Sequence, residues 1–181
     1  MQDAPETVLL AEDEASLYLQ AMTMRVWAPR GDTPVVGCDP GRAKTSFSGT
    51  LDLRTGREVV MESATLNAEV SAKHLEQILA AYPHGPLLLL WDRAPWHRGE
   101  KIREVLTANP RLEVWQFPVA APDMNPQEHV WKATREAVSH NHREAELARL
   151  GKRFEAHLTS TTFVTTFLEH RGFYTVCPRS N

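Results

Sequence analysis

The sequence predicts an α/β fold with a mixed sheet, and three observations predict it. Between Arg25 and Val60, short runs rich in Val, Thr, Ser and Phe are separated by turn signals, the pattern of an antiparallel meander. After Asn67 the apolar residues recur at helical spacing. A continuous leucine run from Pro86 to Asp92 then interrupts the helices, as a strand covered on both faces would. Strands linked by helical crossovers pair in parallel, so the sheet is antiparallel at first and parallel afterwards.

The elements follow in order. A polar, aperiodic lead-in precedes Val8-Leu9-Leu10-Ala11, a short apolar run that ends in Glu12-Asp13-Glu14 and reads as a strand finishing in carboxylates. Val26-Trp27, a Pro29-Arg30-Gly31-Asp32 turn and Val35-Val36 open the meander. Ala43 to Leu53, closed by Arg54-Thr55-Gly56, and Glu58 to Met61 complete its three or so strands. Asn67 caps a helix whose inward face is Leu75, Ile78, Leu79 and Tyr82, and which stops at Pro83-His84-Gly85. A second helix over Arg98 to Ala108 turns Ile102, Val105 and Leu106 inward, and Leu112 to Phe117 is a further strand. The Pro-rich bend Pro118 to Pro122 leads to a third helix with Val130, Trp131, Ala137 and Val138 on its apolar face. Two more helical patterns follow, first Leu147, Leu150 and Phe154, then Phe163, Val164, Phe167 and Leu168.

Length and composition exclude several classes. The 181 residues make about one domain, and 42% hydrophobic with 24% charged residues excludes a disordered or fibrous chain. The longest apolar run, Pro86 to Trp91, is far short of a membrane span, so no membrane partner is expected. Asp3 and Glu6 stand where a secretory signal needs basic charge. Cys38 and Cys177 form no CxxC pattern, which fits a reducing, cytoplasmic setting. The net charge of −3 predicts, by itself, no nucleic-acid partner.

Three carboxylates stand out by position. Asp13 ends the first strand, Asp92 ends the leucine strand, and Glu128 lies in the first turn of the third helix. If the first and fourth strands are neighbours, the two Asp residues emerge side by side, with Glu128 brought over them. Carboxylates sharing a site repel unless a cation neutralises them, and hard divalent ions such as Mg²⁺ or Mn²⁺ suit oxygen ligands. A plainer reading stays open at this point. Asp92 before Arg93-Ala94-Pro95 is turn chemistry, and Asn125-Pro126-Gln127-Glu128 fits a capping box completed by Glu128.

Taken together, these segments resemble the catalytic domain of bacterial insertion-sequence transposases of the mariner superfamily, the DDE superfamily endonucleases. The resemblance rests on Asp13-Glu14-Ala15-Ser16, on Trp27-Ala28-Pro29-Arg30-Gly31, on Asp92 with His97 five residues on, and on Pro122 to Trp131. The family spaces its second and third acids by 35 residues, as positions 93 to 127 do here. It implies a ribonuclease H-like fold, a mixed five-stranded sheet flanked by helices. It also implies cut-and-paste transposition with two Mg²⁺ ions, for which Mn²⁺ can substitute, on Asp13, Asp92 and Glu128. Double-stranded DNA, as transposon ends and target, is the implied partner of a homodimer located in the bacterial cytoplasm and on the nucleoid when bound.

Two departures qualify the resemblance. Arg93 stands where the family usually has Asn, and could grip a phosphate or pair with Asp92. Full-length members also carry an N-terminal helix-turn-helix domain, for which nothing before Asp13 has room. The chain is then expected to be a single catalytic domain over residues 1–181, such as half of a frameshift-split element served by a separate helix-turn-helix chain, a truncated version, or a silent remnant acting as a dimerisation or DNA-scaffold module. A general ribonuclease H-like nuclease is a third reading.

The remaining candidates carry less. His97 either contacts a phosphate or faces solvent at a helix start, and His129 is mainly structural because it points about 100° away from Glu128. Arg93, Arg98, Lys101 and Arg103 suggest a phosphate-tracking groove beside the acids. Arg135, Arg143, Arg149, Lys152 and Arg153 read rather as a solvated face. His140 and His142 lack a zinc framework. Trp91, Trp115 and Trp131 are assigned to the core, Trp27 and Trp96 to the surface.

Overall fold

The computed structural model describes residues 6–32, 35, 37, 41–118 and 124–164. Five strands, β1 (Val8–Tyr18), β2 (Lys44–Asp52), β3 (Glu58–Ser63), β4 (Leu87–Trp91) and β5 (Leu112–Gln116), form one mixed sheet in the order β3-β2-β1-β4-β5. The helices are α1 (Ala68–Ala81), α2 (Glu100–Ala108), α3 (Gln127–Thr134) and α4 (Leu147–Ser160). β1–β2 and β2–β3 are antiparallel, while β1–β4 and β4–β5 are parallel. The mixed sheet and the neighbouring first and fourth strands are therefore as expected.

β1 is the main departure. It does not finish in its carboxylates but runs on to Tyr18, because β2 pairs with it from Leu10 to Tyr18. β4 pairs only with Val8 to Ala11. Glu12, Asp13 and Glu14 thus lie inside a strand, yet just past the point where its parallel neighbour stops. Consecutive acids in a short apolar run look like a strand end when the partner beyond them is not visible.

Strand alternation divides the core into two layers. Leu9, Ala11, Ala15 and Leu17 of β1 pack with Val130, Trp131, Leu150 and Phe154 of α3 and α4. Leu10 packs with Leu75 and Ile78 of α1 and with Ile102 and Val105 of α2. Asn67 caps α1 as expected, its Oδ1 accepting from the Val70 amide at 3.0 Å. The β2–β3 turn is tied by Asp52, which accepts from the Arg54 and Thr55 amides, with Gly56 at φ 72°.

Four further expectations change. Val26 and Trp27 form no strand but belong to an extended, exposed stretch, held where Asn141 bonds both the amide and the carbonyl of Met24. Val36 and Cys38 lie outside the described residues, as do Cys177 and Pro122. Trp115 is 56% exposed, because β5 is the edge of the sheet. Ala137 is exposed as well, since residues Arg135–Ser139 form a π turn, with the His140 amide on the Arg135 carbonyl, that shifts the helical face. Phe163 and Val164 follow α4 without helical structure, and Phe167 and Leu168 are outside the described residues.

Candidate active site

The site forms where β4 ends. Alternation along β1 sends Asp13 to the α3/α4 side of the sheet and Glu12 and Glu14 to the α1/α2 side. Asp92 follows Trp91, the last residue of β4, and Glu128 sits in the first turn of α3.

α3 reaches Asp13 because Gly49 lies directly across from it on β2. A Cβ at Gly49 would come within 2.5 Å of Trp131 and 2.6 Å of Gln127. Trp131, almost fully buried, donates its indole N–H to Asp13 Oδ2 at 3.2 Å. The core role assigned to it is found, and the hydrogen bond to the acid is additional. Gln127 donates to Glu58 Oε2 at 3.0 Å, and Asn125 bonds the Glu12 carbonyl at 3.3 Å, so the helix start is stitched to the sheet just before Glu128. Asn125 also accepts from the Gln127 amide, as a cap should. Glu128 does not complete the capping box: among the described residues nothing hydrogen-bonds its carboxylate, which is exposed. Its charge bears instead on Asp13. Burial, then Glu128, and to a lesser degree Glu14 and Asp92, push the Asp13 carboxyl up to about 7.

Asp92 is half exposed, its Oδ1 accepting from the Ala94 amide at 2.7 Å. Among the described residues no ion pair joins it to Arg93, which is exposed and offers its carbonyl to Arg98 at 3.5 Å. Lys101 is paired on the surface with Glu104 at 3.3 Å. Arg149 and Arg153 pair with Glu146 and Glu144.

His97 is where the sequence reading fails. It neither faces solvent nor lies open to a DNA phosphate; it is 4% exposed and stacked on Trp91, ring centroids 4.2 Å apart and 5° from parallel. Its Nδ1 lies 3.1 Å from Asp92 Oδ1, and its Nε2 lies 3.0 Å from Glu14 Oε1 and 3.4 Å from Glu12 Oε2. Trp96 adds its indole N–H to Glu14 at 2.5 Å. Burial alone would lower the His97 pKa, but hydrogen bonds and charge from Glu14 and Asp92 outweigh it and hold the imidazole above its ordinary value. Burial, then Glu14, Asp13 and Asp92, push Glu12 well above the usual carboxylate range. His129 is structural, bonded through Nδ1 to the Pro126 carbonyl. The signal for His97 lay in β1: two acids flanking Asp13 share a face inside the sheet, and buried acids need a donor there.

Two groups of side chains could hold a cation. Among the described residues Glu12, Glu14 and His97 bring three ligand-type atoms within 4.8 Å of one another. Their side chains are 1–4% exposed; His97 is bonded to Glu14, while Glu12 Oε2, 3.4 Å from His97 Nε2, is left without a hydrogen-bond partner. Among the described residues Asp13, Asp92 and Glu128 are not gathered that tightly, but Glu128 and Asp92 lie beside solvent and their charges bear on Asp13. Unneutralised like charge with only oxygen donors fits a hard divalent ion.

Residues 8–150 match the family described as DDE superfamily endonuclease. The insertion element IS630 uncharacterized 39 kDa protein of Shigella sonnei is 24% identical over 143 residues, covering 78% of this chain and 42% of that protein. The Mos1 transposase paired-end complex with left transposon end aligns at TM-score 0.63 and 18% identity, over 93% of this chain and 52% of that one. The crystal structure of the catalytic domain of Mos1 mariner transposase aligns at TM-score 0.57 and 14% identity, over 93% and 76%. Another Mos1 paired end complex, solved with Mn, aligns at 0.62 and 17%, over 94% and 53%. The chain thus spans less than half of the curated relative and about half of the paired-end complex chains. The likeness to the solved structures carries the fold, which is the ribonuclease H-like one expected.

Proposed function

The chain belongs to the DDE superfamily endonucleases, and from that premise we propose that it is the catalytic part of a cut-and-paste transposase, with Asp13, Asp92 and Glu128 as its metal ligands. One observation carries this reading: acids from a strand interior, a strand end and a helix start act on one another, Glu128, Glu14 and Asp92 adding to burial in pushing Asp13 up to about 7. A fold that had lost its function would have no reason to keep this repulsion. The absence of an Arg93–Asp92 pair and of a capping role for Glu128 supports the same reading against the silent remnant.

Bound Mg²⁺ or Mn²⁺, two ions in the fullest form, would supply a nucleophilic oxygen and stabilise the leaving one in an in-line displacement. The chain supplies the rest. Trp131 fixes the Asp13 carboxylate through Oδ2. The Ala94 amide fixes one oxygen of Asp92. The exposed Arg93 and Arg98 flank the site and would meet the phosphates of duplex DNA; Lys101 would join them by giving up Glu104. His97 is left out of the DNA contacts because it is buried. Water, then a 3′-hydroxyl, would attack at the phosphorus; no Ser or Tyr nucleophile is required. A homodimer holding both transposon ends, a separate helix-turn-helix chain and a cytoplasmic location belong to the same proposal. Among the described residues no helix is long and apolar enough to cross a membrane.

The test is a crystal of the protein soaked in Mn²⁺ and read by anomalous scattering. A peak bound by Asp13 and Asp92 with Glu128 in reach is the expected result. Featureless density at this edge at saturating Mn²⁺ would overturn the assignment.

A further inference from the structure

We propose that His97 is a positioning residue for this site, an imidazole clamp that holds the Asp92 carboxylate in its ligating orientation by tying it to Glu14 on the opposite face of β1. The inference rests on Asp92 being a metal ligand and adds a group that touches neither metal nor DNA.

The geometry is specific. Nδ1 of His97 hydrogen-bonds the Asp92 main-chain carbonyl at 3.3 Å, with Asp92 Oδ1 beside it at 3.1 Å, and Nε2 meets Glu14 Oε1 at 3.0 Å. Carbonyl and carboxylate oxygens only accept, so each nitrogen donates, and the ring becomes a rigid bridge between Asp92 and Glu14. It cannot swing away. Trp91 stacks on it at 4.2 Å, Trp96 meets it edge-on at 6.3 Å, and its own amide is bonded to the Ala94 carbonyl. Glu14 is anchored in turn by the Trp96 indole and by pairing of its residue with Ser48 of β2.

Asp92 needs such a clamp more than Asp13 does. Asp13 sits within β1, under α3, with Trp131 bonded to it. Asp92 lies beyond the last paired residue of β4, half exposed, where the Ala94 amide would otherwise be the hold on its side chain. Asp92 Oδ1 accepts from the Ala94 amide at 2.7 Å and lies 3.1 Å from His97 Nδ1, which also holds the Asp92 main-chain carbonyl. Outer-layer hydrogen bonds of this kind usually change metal affinity by about 10–100-fold when removed.

The test is a Mn²⁺ titration of the intact chain, read by the electron paramagnetic resonance signal of free Mn²⁺, with thermal melting in metal-free buffer alongside. His97→Leu should bind Mn²⁺ about 10–100-fold more weakly, and His97→Asn, which restores an N–H near the Nδ1 position, should recover part of that loss. Asp92→Asn should lose the tight site altogether. If Asp92→Asn binds as the natural sequence does, the ligand assignment itself fails. If Asp92→Asn loses binding but His97→Leu does not, or if Leu and Asn at position 97 are equally impaired, only the clamp fails. Should melting show His97→Leu unfolded, Glu14→Gln decides from the other end of the bridge: weakened binding sustains the clamp, and unchanged binding overturns it.

Discussion

Two histidines are buried on the same side of the sheet, and their surroundings make them different groups. His74 of α1 receives the Thr50 hydroxyl on Nε2 at 2.8 Å and gives Nδ1–H to Gln77 Oε1 at 3.3 Å, while Gln77 donates onward to the Val60 carbonyl. Every partner is neutral. Burial, the largest influence, lowers its pKa to about 4, with the His97 charge adding in the same direction. His97 faces three carboxylates and is held above its ordinary value. A neutral chain of hydrogen bonds closes the sheet under α1; a charged one operates at the open end of β4. Burial prevails at His74, whose bonded partners are neutral, and is outweighed at His97, whose partners carry charge.

The largest expected effect comes from erasing the charge that separates the two regions. Asp92→Asn should lower DNA nicking in Mg²⁺ on the order of 10³-fold or more, because metal-stabilised charge is worth several kcal/mol in the transition state. It should leave the melting temperature near that of the natural sequence; residual nicking at a tenth of the normal rate would mean the acid is not a ligand.

Next in size is the titration of His74. Its folded pKa is depressed from 6.5 to about 4, so below pH 6.5 the unfolded chain takes a proton that the folded chain refuses. Stability from this group is complete above about pH 6.5 and is lost as pH falls toward 4, by about 3 kcal/mol in all. Urea unfolding of the natural sequence and of His74→Met across that range isolates the term as a difference between two curves. A constant difference would show that His74 is not the neutral group described.

Gly49→Ala should cost about 1–3 kcal/mol through overpacking against Trp131 and Gln127. Because α3 must shift, Mn²⁺ affinity should fall as well, with no change in the His74 titration. A variant that lost stability while keeping full metal affinity would separate the helix contact from the site.

The smallest effect belongs to the surface. Lys101→Ala gives up only an exposed pair with Glu104 and should change stability by less than about 0.5 kcal/mol. If Lys101 tracks a phosphate, the dependence of DNA affinity on log salt should become shallower by about one unit; an unchanged slope would remove it from the interface.

Much of this was legible in the sequence because it depends on local pattern. Asn67 before a helical period, the leucine run of β4 and the Arg54-Thr55-Gly56 turn each announce themselves, and the order of elements brings β1 beside β4. Asp92 and Glu128 could be singled out because the ends of elements are visible, and Asp13 because it follows an apolar run, although that run continues as a strand beyond it. What stayed hidden depends on partners distant in sequence. The extent of β1 is set by β2, some 30 positions away. Trp115 is apolar in a strand, but nothing in its neighbourhood marks that strand as the edge. Ala137 was placed inward by a regular 3.6-residue period that the π turn breaks. His97 looked like a surface residue because its bonds reach across more than 80 positions to Glu14.

β1 also has a consequence for heredity. Its alternation assigns Asp13 to one layer and its two acidic neighbours to the other, so the site depends on parity as much as on identity. Losing one codon between Val8 and Glu12 would preserve every acid in the chain, yet keeping the β4 pairing would send the first acid toward His97 and its neighbours toward α3. The same loss in the exposed stretch around Trp27, where few contacts fix the register, would be absorbed by slack. Two deletions of three nucleotides, fewer than twenty codons apart, would therefore have opposite fates: one silent, the other as damaging as removing the acid itself.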